Sequence, residues 1–333
     1  MIKDYKYIAL GLLFSLLITA CSKDGADGND VTKTNEQTKE IGIKPDVWKM
    51  TEATRATMYD NTTLQSGFTV YAYKENTTTA YIDDKTVSYS APNWIITGRP
   101  YYWPDYNLDF FAYAPSSKPA YITAGPTYTA EHDVTFTCSN LPLSYSSASP
   151  AEGQGGLIEF IYGMALGKNR ENSLSGVPLT FQHPFARIKL QLAASHPNVT
   201  INSITFNGIN NSGSFTYDHS ESTSTWAPSG NANFVLTLTS EAAVFDNNPN
   251  TPVPIGGYSA GAHQNEDFIM IPQSWTGVIV VNADCLFWGV KKNYPSLTTT
   301  VATTWQPGYS YTYTFNISPD DLKVNVSQFT EQW

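Results

Sequence analysis

Charged residues are scarce in this sequence. Asp, Glu, Lys and Arg make up 14% of its 333 residues, against about 25% in typical soluble proteins. The formal net charge of −10 argues against nucleic acid as a partner, since phosphate binding needs clustered basic side chains. Tyr, Thr, Ser and Asn fill the gap, and Tyr and Thr favour the half-buried surfaces of β-sheets. The composition therefore indicates a β-rich extracellular protein.

Cysteine is nearly absent. Besides Cys21 the chain holds only Cys138 and Cys285, which excludes a disulfide scaffold. No CxxC pair or Cys/His cluster suggests zinc, and we expect neither a metal nor a cofactor. One disulfide between Cys138 and Cys285 is possible. Two buried free thiols are favoured, because the residues lie far apart in different predicted domains.

Catalytic motifs are also missing. The histidines share no HExxH spacing, and no GxSxG, P-loop or GxGxxG follows a strand pattern. The carboxylate pairs Asp83–Asp84 and Asp320–Asp321 indicate turns rather than acid–base dyads, since neighbours on a strand point to opposite faces. We interpret His183, in the apolar run FQHPF, as a buried core histidine. The sequence therefore predicts a protein that is not an enzyme.

The N-terminus carries an apolar run from Tyr7 to Ala20, preceded by two lysines. The run is too short for a transmembrane helix of about 20 residues and has the length of a signal-peptide core. It ends in Ile-Thr-Ala-Cys, which resembles a bacterial lipobox. Residues 1–20 are thus predicted to be a lipoprotein signal peptide, with Cys21 as the lipidation site; each buried acyl CH2 contributes about 0.8 kcal/mol to membrane binding. An ordinary secretory signal with an incidental cysteine is the alternative.

The polar residues 21–38 cannot form a core and are predicted to be a flexible tether. After them, short strand patterns alternate with turn signals. IGIKPDVWKM predicts a short edge strand, because proline is tolerated there. LDFFAYA predicts a buried strand, whereas LIEFIYGMAL is ambiguous between strand and helix. In SGFTVYAY, apolar Phe68, Val70 and Ala72 alternate with residues of the other face, as in a strand.

Many short strands with such spacing predict β-sandwiches. We therefore expect an all-β protein with two consecutive β-sandwich domains, residues 39–172 and 173–333. The boundary is placed in the loop-like stretch NRENSLSG.

The aromatic stretch YYWPDY, residues 101–106, allows two interpretations. Trp103 and its neighbours plug one end of a sandwich, or they form a stacking platform for sugars. The plug is favoured, because the stretch precedes the buried strand LDFFAYA. The platform would make the protein a surface lipoprotein that binds glycans through exposed aromatic side chains.

Several segments occur in the order seen in fimbrillins of Bacteroidetes, the type V pilins. They are TRAT before FTVYAY, YYWPDYNLDFFAYAP, VPLTFQHPFARIKLQL, FIMIPQSW, WQPGYSYTYTFNI and a closing Trp. Together with the lipobox, the chain resembles this family over nearly its whole length. The resemblance implies two transthyretin-like Greek-key β-sandwich domains and a structural or adhesive subunit of a cell-surface pilus, or fimbria.

The resemblance also implies a route of assembly. In such pilins a lipoprotein precursor reaches the outer membrane, and an Arg-specific protease then removes the N-terminal segment. A strand from a neighbouring subunit fills the exposed groove. The implied partners are therefore other pilin subunits, the protease and, before processing, the outer membrane through the lipid anchor. The final location is the extracellular pilus.

Carried onto this sequence, the resemblance makes Arg55 the cleavage residue and Ala56 the first residue of the product. The removed strand would be IGIKPDVWKM.

The candidate donor strand is LKVNVSQFTEQW, with Leu322, Val324 and Val326 on one face. Because no long extension follows this last strand pattern, a tip or accessory subunit that donates no strand is the alternative.

Overall fold

The computed structural model describes residues 40–48, 58–193, 199–239, 252–259, 262–265, 267–287, 289–318 and 323–332. Apart from one 3-10 turn at Thr63–Ser66, the regular structure in these residues is all strand, which confirms the predicted all-β class. The strands are β1 (Ile43–Val47), β2 (Phe68–Lys74), β3 (Ala80–Ser90), β4 (Asn93–Ile96), β5 (Leu108–Ala114), β6 (Ile122–Tyr128), β7 (Val134–Cys138), β8 (Ser144–Ser146), β9 (Ile161–Lys168), β10 (Val177–Gln182), β11 (Ala186–Leu192), β12 (Val199–Ile209), β13 (Ser212–Asp218), β14 (Thr223–Ser229), β15 (Ala232–Thr237), β16 (Val253–Pro254), β17 (Gly256–Ser259), β18 (Ala262–Asn265), β19 (Asp267–Met270), β20 (Ser274–Phe287), β21 (Val290–Thr304), β22 (Tyr309–Ser318) and β23 (Lys323–Gln332).

Hydrogen bonds join these strands into four larger sheets and the small β17–β18 hairpin. The orders are β1-β10-β9-β5-β2-β3-β4, β16-β11-β22-β23 with β19 also on β11, β21-β20-β12-β15-β8, and β14-β13-β7-β6. Most neighbours are antiparallel, but β1 is parallel to β10, β11 to β22 and β8 to β15. The segment LIEFIYGMAL, ambiguous in the sequence, contains the first six residues of strand β9, which ends at Lys168.

The seven-stranded sheet curls on itself. The ring of Phe68 on β2 lies 5.4 Å from Trp94 on β4 and 5.1 Å from Phe181 on β10. Residues near both edges of the sheet therefore meet at its centre, and edge strand β1 contacts edge strand β4. The curled sheet encloses one apolar cluster, here called the first core, whose members include Ile41, Ile43, Val47, Tyr59, Leu64, Phe68, Val70, Ala72, Tyr101, Trp103, Phe110 and Phe181.

The outer face of this sheet is covered as well. Every residue of β5 is buried, because Phe110 and Ala112 point into the first core while Phe111 and Tyr113 join a second, larger cluster. A strand covered on both faces has an almost continuous apolar sequence, which explains LDFFAYA. The second core also contains both Cys138 and Cys285, which are free and buried as predicted.

Strands from both sides of the predicted domain boundary, between residues 172 and 173, share sheets. β10 pairs with β9, β13 with β7 and β15 with β8. The division into two domains at this position stays a prediction. None of the described residues belongs to a helix long and apolar enough to span a membrane.

Candidate functional site

The strand predicted to be removable is an edge strand, as expected around Pro45. β1 lies at the end of the seven-stranded sheet and pairs in parallel with β10, from Ile43 opposite Val177 to Val47 opposite Phe181. Proline is tolerated in an edge strand because its missing N–H does not interrupt the hydrogen bonds between two interior strands. In the part of the chain that the structure describes, β1 therefore has a neighbouring strand on one side only.

The side chains of β1 contribute more to its attachment. Ile41, just before the strand, and Ile43 and Val47 within it are buried in the first core. Burial of such a side chain contributes about 1.5–3 kcal/mol. Three of them hold the segment by about 5–9 kcal/mol, an upper limit because unfolded chains also bury some surface. β1 is thus part of a core, although it lies at a sheet edge.

Both ends of β1 are fixed by further hydrogen bonds. At the start, the Ile41 N–H donates to the Tyr101 carbonyl at 2.7 Å. At the end, the Val47 N–H donates to Asn61 Oδ1 at 2.8 Å, and Asn61 Nδ2 donates to Asp46 Oδ1 at 2.7 Å. The Asn61 side chain thereby supplies hydrogen bonds to the last residues of β1, on the side away from β10.

The chain is fixed again at residues 58 and 59. Met58 and Tyr59 are buried, and the Tyr59 N–H donates to Glu159 Oε2 at 3.2 Å. The other carboxylate oxygen of Glu159 lies 2.9 Å from Nδ1 of His183, and both side chains are fully buried. Burial, with a smaller contribution from the Glu159 charge, raises the pKa of Tyr59 to about 12. His183 is therefore a core histidine, as predicted.

The predicted cleavage residues lie between these two fixed points. Arg55 and Ala56 belong to the span 49–57, outside the described residues. The Asn61 bonds hold the chain before this span, and the Glu159 bond holds it after the span. Cleavage at Arg55 stays a prediction; Arg55 lies in the chain between β1 and the residues fixed at Tyr59.

The candidate donor strand is paired within its own subunit. β23 runs antiparallel to β22 and forms the edge of its sheet. Val324 lies opposite Ile317, and Val326 lies opposite Phe315, while Leu322 is outside the described residues.

The last part of β23 is held weakly by side chains. Residues 328–332 are exposed, and Phe329 is 65% exposed. Lys189 Nζ lies 3.7 Å from Glu331 Oε1, at the distance limit of an ion pair.

The ends of β1 and β23 lie near each other. They border one cavity of about 220 Å³, lined by Trp48, Gln182, His183, Ser224, Pro307, Gly308 and Gln332. The structure thus brings together the end of the strand predicted to leave and the end of the strand predicted to be donated. Cys21, the predicted lipid site, lies outside the described residues.

Two aromatic residues of YYWPDY belong to a core, as favoured, whereas Tyr102 is 45% exposed. Tyr101 and Trp103 are buried in the first core, so Trp103 is not available to stack on a sugar. Tyr106 is partly exposed, but the rings of Tyr81 and Tyr106 are nearly perpendicular, at 88°. Lys74 Nζ lies 5.5 Å above the Tyr106 ring. These rings do not form a flat platform.

Sequence reasoning missed the side chains that fix the chain before and after residues 49–57. Asn61 lies in the turn-like stretch YDNTT, where an asparagine normally indicates only a turn. Glu159 lies in a segment that was ambiguous between strand and helix, 24 positions from His183. No spacing rule links these residues. Among the residues described, no group of three His, Cys, Asp or Glu side chains could hold a metal ion.

Comparisons with known proteins agree with this fold. Residues 54–333 match a family model described as fimbrillin-like, so β1 lies upstream of the matched region. A fimbrial protein from Bacteroides vulgatus has a similar structure, with TM-score 0.63, 14% identity, and coverage of 88% of this chain and 99% of that chain. A putative cell adhesion protein from Bacteroides ovatus gives TM-score 0.51, 13% identity, and coverage of 90% and 99%. No curated protein sequence is similar enough to count as a match.

Proposed function

This chain belongs to the fimbrillin-like family, and from that premise we propose that it is a structural or adhesive subunit of a cell-surface pilus. Its precursor is a lipoprotein anchored in the outer membrane through Cys21. It assembles when β1 is cut away near Arg55 and a strand of a neighbouring subunit takes its place. The subunit has two transthyretin-like domains, residues 39–172 and 173–333.

The observation that carries the proposal is the position of β1. It contributes Ile43 and Val47, with Ile41 just before it, to the first core, yet β10 is the only strand among the described residues that pairs with it. Its loss would expose a long apolar groove along β10, which an extended strand can fill with both backbone bonds and side chains. The strand is thus both necessary to a monomer and replaceable by another chain.

The covalent connection explains why a cut is needed. A strand tethered to its own groove competes at an effective concentration of about millimolar or more. A neighbouring subunit at lower concentration cannot displace it. Once the chain is cut within residues 49–57, β1 can dissociate, while the Tyr59–Glu159 bond keeps the new end of the body in place. The precursor is therefore protected from early polymerisation.

β23 supplies the donor strand, and it must first leave β22. Its ladder with β22 runs from Lys323 to Gln332, but the exposed residues 328–332 bury little apolar surface. A subunit whose β23 never leaves would accept a strand and donate none, as a tip subunit would.

Proteolysis of the full chain tests the proposal. We expect an Arg-specific protease to yield a product that begins at Ala56 and a ladder of bands on SDS gels run without boiling. Arg55→Lys is the matched variant: it should resist this protease yet be cut by trypsin and then form the same ladder. A different new N-terminus, or cut subunits that remain monomeric in every mixture, would contradict the proposal.

Two further variants separate the roles within it. Val324→Asp with Val326→Asp should remove donation but leave acceptance, so that the variant joins wild-type subunits only as a chain end. If wild-type subunits also accept a strand but never donate one, the protein is a tip subunit and not a stalk subunit. Cys21→Ser should abolish incorporation of labelled palmitate and release the precursor from the outer membrane fraction.

A further inference from the structure

Strand β21 forms one edge of the sheet β21-β20-β12-β15-β8. It has 15 residues, and among the described residues β20 is the only strand that pairs with it. Its first half carries Lys291, Lys292 and Pro295, and its ladder with β20 shifts register between Tyr294 and Leu297. Basic residues, a proline and a register shift are features with which natural proteins prevent another chain from pairing with a sheet edge.

The second half of β21, residues 296–304, lacks these features. Its sequence, SLTTTVATT, contains no charge and no proline, and it is rich in β-branched residues, which favour strands. Leu297 is buried in the second core, whereas Thr298, Thr300 and Ala302 on the other face are exposed. This half of β21, here called the open edge, is therefore a regular strand with no neighbouring strand on its outer side among the described residues.

The other edge strands of the four larger sheets are all protected. β4, β19, β8 and β16 have only four, four, three and two residues. β1 and β14 each contain a proline, and so does β6, whose ladder with β7 is also irregular. β23 contains a lysine and a glutamate. Short length, proline, charge and bulges all disfavour pairing with another chain, so the open edge is the exception in the part of the chain that the structure describes.

The sheet behind the open edge is also poor in charge. Its five strands contain three charged residues, Asp284, Lys291 and Lys292, all in the half of the β20–β21 hairpin nearest its turn. Beside the open edge, the exposed residues of β20 include Thr276 and Val278. Although the net charge of the chain is −10, a second copy can approach this edge without bringing like charges into contact.

We propose that the open edge pairs with the open edge of a second copy of this chain, so that two five-stranded sheets join into one. The two strands run antiparallel across a twofold axis, which is the commonest symmetry of protein dimers. Residues that lie opposite each other in antiparallel strands have their side chains on the same face, so the axis passes through a residue and not between two residues. Thr300 is the midpoint of residues 296–304, and the axis passes through it.

This register brings compatible side chains together. Threonine pairs and pairs of β-branched residues are favourable across strands, and no charged residue lies within the paired span. Lys291 and Lys292 lie beyond Pro295, outside that span. The cross-strand pairs are Thr300 with its own copy, Thr299 with Val301, Thr298 with Ala302 and Leu297 with Thr303.

A second copy fits the open edge better than a charged partner does. An acidic or a basic partner would find no complementary charge in residues 296–304, whereas an identical edge matches this one in length and in its lack of charge. The contact uses neither β1 nor β10, which belong to another sheet, and it does not depend on strand exchange. β23 contacts β21, so the uncut chain, in which β23 is paired with β22, is the form to test.

Analytical ultracentrifugation of the uncut full chain tests the proposal. The parent carries Cys21→Ser, which removes the predicted acyl anchor, and we expect it to show a concentration-dependent equilibrium between monomer and dimer. Thr300→Lys and Thr300→Glu should each raise the dissociation constant at least about tenfold, because like charges directly opposite each other are destabilising. An equimolar mixture of these two variants should dimerise again, since opposite charges then meet at the axis.

Cysteine substitution tests the register. Thr300→Cys should give a disulfide-linked dimer on mild oxidation, because the Cα atoms of opposite residues lie about 4.5–5.5 Å apart, within the range of a disulfide. Thr304→Cys lies on the same face, but in this register it is about 26 Å from its own copy along the strands, and it should not crosslink. Equal crosslinking of the two variants would contradict an axis at Thr300.

Thr276→Lys is the matched control for the charge variants. Thr276 is exposed on the same face of the sheet but lies on β20, one strand in from the edge, so its substitution should leave the dissociation constant unchanged. A parent that is monomeric at every concentration, an equal loss in Thr276→Lys, or a mixture of the two charge variants that stays monomeric overturns the proposal. Thr300→Lys should still form ladders after cleavage, so failure here is separate from failure of strand exchange.

Discussion

The two terminal strands of the described chain, β1 and β23, are both sheet edges, but they are held in opposite ways. β1 has five residues and contributes buried side chains to the first core. β23 has ten residues paired along β22, and its last five are exposed. Side chains hold β1, whereas backbone hydrogen bonds provide most of what holds the end of β23.

Under the proposed strand exchange, this difference would give each strand its own requirement for release. A backbone ladder at a surface can open from its end, since each exposed hydrogen bond contributes only about 0.5–1.5 kcal/mol. A strand whose side chains lie in a core must leave in one step and expose them together. Proteolysis would therefore be needed to release β1, whereas β23 could separate from β22 progressively from its exposed end. The predictions below test this contrast, from the largest expected effect to the smallest.

Truncation of a core side chain in β1 should have the largest effect. Ile43→Ala should lower the free energy of unfolding by about 3 kcal/mol, because it removes apolar contacts and leaves a cavity. Phe329→Ala in β23 should change it by less than about 0.5 kcal/mol. Urea denaturation followed by tryptophan fluorescence measures both. Equal losses would remove the contrast.

The second-largest effect is expected at Glu159, the buried carboxylate that accepts a hydrogen bond from the Tyr59 N–H. Glu159→Gln removes a charge from contacts with both the Tyr59 N–H and His183 and should cost about 2 kcal/mol. The chain should then become sensitive to proteases at Met58 and Tyr59, as mass spectrometry of the fragments would reveal. Glu152→Gln, at an exposed position, is the control and should have no effect on these cuts.

Loss of the amide that caps β1 should have a smaller, local effect. Asn61→Ala removes the acceptor of the Val47 N–H and should cost about 1 kcal/mol. Hydrogen exchange of the β1 amides should accelerate about fivefold while the rest of the sheet is unchanged. Asn233→Ala, which removes a similar bond to the Gly208 N–H, should leave β1 exchange unaltered. If the two variants behave alike, Asn61 has no special role.

The smallest effect is expected at the end of β23. Glu331→Gln removes a carboxylate that is 48% exposed and lies 3.7 Å from Nζ of the buried Lys189, and an ion pair with one solvent-exposed group contributes about 0–1 kcal/mol. The midpoint of urea unfolding should therefore shift within error. A loss as large as that of Ile43→Ala would mean that β23 is fixed by side chains after all.

The sequence was informative where a single strand carries the pattern. The edge position of β1 followed from Pro45, and the burial of β5 followed from its uninterrupted apolar run. The core position of His183 followed from its apolar neighbours. In each case the signal lies within about ten residues, which is the range over which periodicity operates.

Contacts between segments that are distant in the chain could not be predicted from the sequence. Asn61 serves β1 from 14 positions away, and Glu159 serves Tyr59 from 100 positions away. The sharing of sheets across residues 172 and 173 depends on strand order, which periodicity does not encode. Such contacts follow from topology, and topology has no local signature in one sequence.

In the proposed strand exchange, the donated strand and the groove along β10 are different surfaces of the subunit, which would set the direction of growth. A replacement strand that runs as β1 does gives every joint two unlike sides, one that provides the strand and one that receives it. Two copies joined in this way cannot form a closed symmetric dimer through this joint, because neither surface is complementary to itself. Repeated joints of this kind extend without closing, so all subunits would point the same way and the two tips of the filament would differ.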